Sequence, residues 1–167
     1  MNESEEKNSI IYQQEDGKSV HHVLLLSYFI FLFGVILGVF FDTFLDRKLF
    51  SNNIYQYVGL AMLVISTIII YWAQATSSNY KERDIKDEKR SQFQFGPYRY
   101  NRSPTHFALF ILTLGFSLII NSFFSVVFTW MAYIITKRFF LRQVENKLEL
   151  KYGEDYTEYK RKVKNWL

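Results

Sequence analysis

Between Val23 and Phe41 the chain reads VLLLSYFIFLFGVILGVFF, with no charged side chain. At ~1.5 Å per residue a helix of that length crosses a hydrocarbon core of ~30 Å. A second uncharged run of similar length, IYQYVGLAMLVISTIIIYWA, covers Ile54–Ala73. Two shorter runs follow, Phe107–Ile120 and Phe123–Ile135, joined by Asn121-Ser122, a pair suited to a tight turn. The expected fold is therefore all-α, a polytopic membrane bundle of about four spans whose last two form an antiparallel helical hairpin. Each of those two is short for a full crossing, so length alone leaves a re-entrant hairpin open. The first run is a poor signal peptide: an acidic leader precedes it, it exceeds a ~7–15-residue apolar region, and Asp42 follows where a small-residue cleavage site would stand.

Charge sets the expected orientation. Hydrophobic residues make up 49% of the chain, yet mean hydropathy is −0.05, because charges are gathered into blocks. The first connection holds Arg47 and Lys48. The second holds Lys81, Arg83, Lys86, Lys89, Arg90, Arg99 and Arg102, and a third block runs from Lys137 to Lys164. Both large basic blocks are expected on the cytoplasmic side, and an even number of spans puts the N-terminus there as well. The same rule accounts for a pI of 9.2 without nucleic acid as a partner. Absence of cysteine excludes disulfides, thiolate metal ligands and thiol catalysis, and no metal site is expected. Residues 1–19 read as a polar tail and 20–167 as one membrane domain. Thr76–Gln94 reads as a solvated connection with room for a short helix.

Both prolines of the chain, Pro97 and Pro104, fall within GPYRYNRSPTH, residues Gly96–His106. Ser103-Pro104 is a helix start: the serine oxygen is expected to cap free N–H groups, and proline at the next position loses nothing by lacking its own. Arg102 stands directly before that positive helix end, a setting that suits a carboxylate or phosphate. If the last two helices fold back at Asn121-Ser122, residues whose numbers sum to about 243 lie side by side. Arg102 then faces the neighbourhood of Leu141, and Tyr98 that of Glu145. A carboxylate, an arginine, a helix start and tyrosine faces converging there would hold a zwitterion. A capped membrane helix with a snorkelling arginine, and a surface ion pair at Glu145, are the plainer readings of the same residues.

GPYRYNRSPTH, followed after the hairpin by VENKLELKYGEDYTEYKRKV, resembles the two signatures of the integral-membrane methyltransferases that include isoprenylcysteine carboxyl methyltransferases and phospholipid N-methyltransferases. Their pattern runs roughly G-P-Y-R-Y-x-R-H-P-x-Y-x-G, then E-E-x-x-L with F-G-x-x-Y-x-x-Y downstream. Gly96, Pro97, Tyr98, Arg99, Tyr100, Arg102 and Pro104 match the first; Glu145, Leu148, Gly153, Tyr156 and Tyr159 match the second, with Tyr152 in the phenylalanine place. Ser103, His106, Ala108 and Val144 depart from it. The resemblance implies an S-adenosylmethionine pocket in about residues 92–167, bounded by Tyr98, Tyr100, Arg102, Ser103, His106 and Glu145. His106 would supply the ring that Ser103 lacks, or act only as an interfacial histidine. Arg102 and Glu145 are the expected catalytic pair, the first anchoring a carboxylate, the second orienting the cofactor or accepting a proton. The implied reaction is methyl transfer to a lipophilic acceptor in the bilayer, a carboxylate or an amine. The departures keep a non-catalytic scaffold open, and a likeness to the membrane halves of sterol reductases keeps an NADPH-binding protein open.

The tail adds a stripe at helical spacing, Tyr152, Tyr156, Tyr159, Val163 and Trp166, with Lys160, Arg161, Lys162 and Lys164 around it. It is expected to be an interfacial helix that lies on the cytoplasmic leaflet and closes the pocket from below.

Overall fold

A computed structural model describes residues 25–45, 54–83 and 96–163. The polar tail, Arg47 and Lys48, the basic residues from Lys86 to Arg90, Lys164 and Trp166 lie outside the described residues. Six helices are described: α1 (Leu25–Leu45), α2 (Ile54–Arg83), α3 (Pro104–Ile119), α4 (Phe123–Ile135), α5 (Arg142–Tyr152) and α6 (Glu154–Lys162). A 3₁₀ turn, Gly96–Arg99, precedes α3, and a π turn, Thr136–Leu141, joins α4 to α5 without interrupting the helix. No strand occurs among the described residues.

Among the described residues, three helical stretches are long and apolar enough to cross a membrane: Leu25–Leu45, Ile54–Thr76 and Phe123–Leu150. The expected fourth, α3, has 16 residues, about 24 Å of axis and short of a ~30 Å core. Length is redistributed within the hairpin, because nothing from Phe123 to Tyr152 breaks a helix: the sequence holds no glycine or proline there. The fourth run therefore does not end at Ile135 but continues as one helix to Leu150. Likewise α2 runs past Ala73 to Arg83, so the start of the charged connection is helical.

The outer surface is apolar. Phe29, Phe33, Ile36 and Phe40 of α1, with Ile65, Ile68 and Tyr71 of α2, are exposed, as a lipid-facing surface requires. Inward faces carry small residues that let backbones touch. A Cβ on Gly115 of α3 would stand 2.8 Å from the Gly59 carbonyl oxygen of α2, and Gly34 and Gly38 of α1 lie against Phe128 and Ser125 of α4. Phe31, Leu109, Phe110, Ala132 and Tyr133 form the core between α1, α3 and α4. Polar bonds tie α1 to the hairpin: Ser125 Oγ donates to the Val35 carbonyl at 3.2 Å, Ser122 Oγ donates to Asp42, and Ser27 Oγ lies 3.1 Å from His106 Nε2.

The hairpin turn lies at Asn121-Ser122, as expected. Asn121 takes the left-handed conformation, φ 54°. Its N–H donates to Leu118 O and that of Ser122 to Ser117 O, both at 3.1 Å. Those two bonds satisfy orphan carbonyls at the end of α3, and asparagine tolerates the positive φ that usually calls for glycine. Ser122 then caps α4, accepting from Ser125 N at 3.1 Å.

Candidate functional site

The segment that delivers Arg102 is built by its glycine and prolines. Gly96 has φ 57°, and a side chain there would run into Thr76 of α2, so the 3₁₀ turn packs closely on that helix. The Pro97 carbonyl accepts from both Tyr100 N and Asn101 N at 3.1 Å, reversing the chain. Pro104 opens α3 at the first helical position, as read from sequence. The expected Ser103 cap does not form: its side chain makes no capping bond. Asn101 Oδ1 instead accepts from Ser103 N at 3.2 Å, an Asx turn that fixes the backbone on either side of Arg102.

Arg102 meets Glu145, with Nη1 2.9 Å from Oε1 and side chains only 15% and 16% exposed. The contact falls one helical turn beyond the pairing expected from the turn position, which set Arg102 opposite Leu141. Two causes add: the π turn packs six residues, Thr136–Leu141, into a shorter length of axis, and the arginine side chain is long. The Tyr98 carbonyl accepts from Tyr159 O–H at 2.6 Å.

The ion pair is in contact but not hydrogen-bonded in line. Arg102 Nε and Nη1 and Glu145 Oε1 are buried polar atoms without a well-directed hydrogen-bond partner among the described residues. Charged groups left so cost stability unless something else engages them. Beside them opens a cavity of about 640 Å³, lined by Arg102, by Trp130, Tyr133 and Ile134 of α4, and by Lys137, Arg138, Leu141, Arg142 and Glu145. That volume lies within the ~300–1,000 Å³ range of small-molecule sites. Its lining follows one helical face from an apolar part in the span to a charged part beyond it. The charged part offers guanidinium donors to a carboxylate and a carboxylate to a cation or hydroxyl, with the aromatic rings of Trp130 and Tyr133 alongside. This donor set fits S-adenosylmethionine, a zwitterion with a carboxylate, an ammonium, ribose hydroxyls and an aromatic base.

The other sequence candidates are distributed around this cavity. Ser103 and His106 line a neighbouring recess of about 10 Å³ with Asn101 and Thr136, and His106 is turned to Ser27 of α1. Tyr100 is exposed on the turn. Trp130, Tyr133, Lys137, Arg138 and Arg142 were not singled out from sequence. Their signal was present in the i, i+3, i+4 spacing from Trp130 through Ile134, Lys137, Arg138, Leu141 and Arg142 to Glu145, where one face changes from apolar to charged.

Three members of the tail's stripe face protein, where the spacing predicts lipid. Tyr156, Tyr159 and Val163 are buried together against Leu148 of α5. Gly153, with φ 58°, breaks the helix and lets α6 fold back, and the apolar face is spent on the protein itself. Burial pushes both phenols above their ordinary range, helped at Tyr156 by Glu145 and at Tyr159 by Tyr156.

A family model described as phospholipid methyltransferase matches residues 55–155, from the first turn of α2 through Arg102 and Glu145 to the start of α6. No curated protein and no solved structure matches the chain.

Proposed function

Because the chain belongs to the phospholipid methyltransferase family, we propose that it transfers a methyl group from S-adenosylmethionine to a lipophilic carboxylate or amine at the cytoplasmic face of the membrane. The observation that carries this reading is the Arg102–Glu145 pair, with polar atoms left for a ligand, at one part of a cavity whose other part is Trp130 and Ile134. Those two side chains are 44% and 52% exposed on a helix long enough to span the bilayer. A lipid-borne acceptor would enter along that apolar part while a water-soluble cofactor occupied the charged part.

When bound, S-adenosylmethionine would supply a methyl carbon to the acceptor's lone pair: the new bond to carbon forms as the carbon–sulfur bond breaks, and the sulfur leaves as the neutral thioether of S-adenosylhomocysteine. The protein's part is alignment and exclusion of water, worth several kcal/mol of a barrier when reacting groups are held in line. Arg102 binds a carboxylate through the donors its contact with Glu145 leaves open. Glu145 has cations at both oxygens, Arg102 at 2.9 Å and Lys160 at 3.7 Å, and is assigned to orienting a bound cation or hydroxyl. The basic residues from Lys137 onward support a cytoplasmic location.

Membranes holding the full chain, incubated with methyl-labelled S-adenosylmethionine, should yield label in the lipid extract, and Glu145→Gln should reduce it at least ~100-fold. Equal labelling of extracts with and without the protein would refute the reading. Saturable NADPH binding in place of S-adenosylmethionine would replace it with the reductase alternative.

A further inference from the structure

Glu145 is held from two sides, and the second side comes from α6. Lys160 of α6 places Nζ 3.7 Å from Glu145 Oε2 and 2.9 Å from Glu149 Oε1. It reaches them because Gly153 reverses the chain between α5 and α6. Its neighbour Tyr159 bonds the Tyr98 carbonyl at 2.6 Å. Two consecutive residues of α6 therefore grip the two sequence-distant parts of the site: Tyr159 holds the turn leading to Arg102, and Lys160 holds the acid facing it. Packing of Tyr156, Tyr159 and Val163 against Leu148 fixes α6 while it does so.

We propose that Lys160 is a positioning residue of the site, acting through Glu145, with Glu149 steering its ammonium group. An ammonium has three donors on one nitrogen. The bond to Glu149 leaves others for Glu145 Oε2, so the glutamate keeps a partner when a ligand carboxylate competes for Arg102. Without Lys160, Glu145 would follow Arg102 or rotate toward Arg142, one turn back on the same helix, and a ligand would have to restore its orientation on binding. The cost falls on binding more than on the chemical step. This inference rests on the S-adenosylmethionine reading of the same site.

The test uses the full chain in lipid nanodiscs, with Lys160→Met, Lys160→Arg and Glu149→Gln. Lys160→Met is expected to weaken S-adenosylmethionine binding in calorimetry, and to raise its KM, by roughly three- to five-fold, the upper range for a partly exposed pair. Its effect on kcat should be smaller. Lys160→Arg should recover most of the affinity, and Glu149→Gln should show part of the loss. A Lys160→Met protein that binds as the wild type does, or a Lys160→Arg protein no better than Lys160→Met, overturns the proposal. A ligand-free arm separates this from failure of the functional reading. In thermal melting, the shifts of Lys160→Met and Glu145→Gln should fail to add by ~1–2 °C. If the wild type binds no S-adenosylmethionine, the functional reading fails, and additive melting shifts would refute the hold of Lys160 on Glu145 as well.

Discussion

Removing Glu145 should destabilise this protein more than removing its partner Arg102, although the two form one ion pair. At an effective dielectric of about 20, unit charges 2.9 Å apart attract by about 6 kcal/mol before the cost of desolvating both. Deleting one member of a buried pair typically costs ~3–5 kcal/mol, because the survivor is left charged and unpaired. The lower figure applies here, since the side chains keep 15% and 16% exposure. Glu145→Gln leaves Arg102 without the acid that pairs with it. Arg102→Met leaves Glu145 with Lys160 at 3.7 Å. Glu145→Gln should thus lower the melting temperature by ~6–12 °C and Arg102→Met by clearly less. The double variant, which leaves no orphaned guanidinium, should be more stable than the sum of the two by at least ~1.5 kcal/mol. Melting of the detergent-solubilised full chain without ligand, followed by circular dichroism, reads all three. Additivity within ~0.5 kcal/mol, or an Arg102→Met protein less stable than Glu145→Gln, would refute the reasoning.

Tyr156 and Tyr159 have phenols raised above their ordinary range by burial, so the unfolded chain releases those protons first. Their contribution is complete below about pH 10 and is lost as pH rises further, and Tyr159→Phe should flatten the fall in melting temperature above about pH 10. Gly115→Ala should cost ~1–3 kcal/mol, because the new Cβ would meet the Gly59 carbonyl oxygen at 2.8 Å and Met62 Cβ at 2.9 Å; an unchanged melting temperature would refute that helix contact. Thr129 Oγ1 is buried with no partner among the described residues, so Thr129→Val should hold or raise the melting temperature, and a drop beyond ~1 kcal/mol would show that the hydroxyl is engaged.

Local features decided much of this protein and are legible in its sequence. Length without charge marked the spans, Asn121-Ser122 marked the turn, Pro104 marked the start of α3, and GPYRYNRSPTH with Glu145 marked two segments that meet. Each depends on a few adjacent residues whose steric and hydrogen-bonding limits are fixed by covalent structure. The meeting of Arg102 with Glu145 one turn beyond the expected register depends on the π turn, which no local composition signals. The inward turn of the Tyr156–Tyr159–Val163 face was equally hidden, because an apolar stripe has the same spacing whether lipid or protein covers it. The fold chose protein once Gly153 reversed the chain, and that choice brought Lys160 to the acid. Periodicity states which residues share a face; only the packing of the helices states what that face meets.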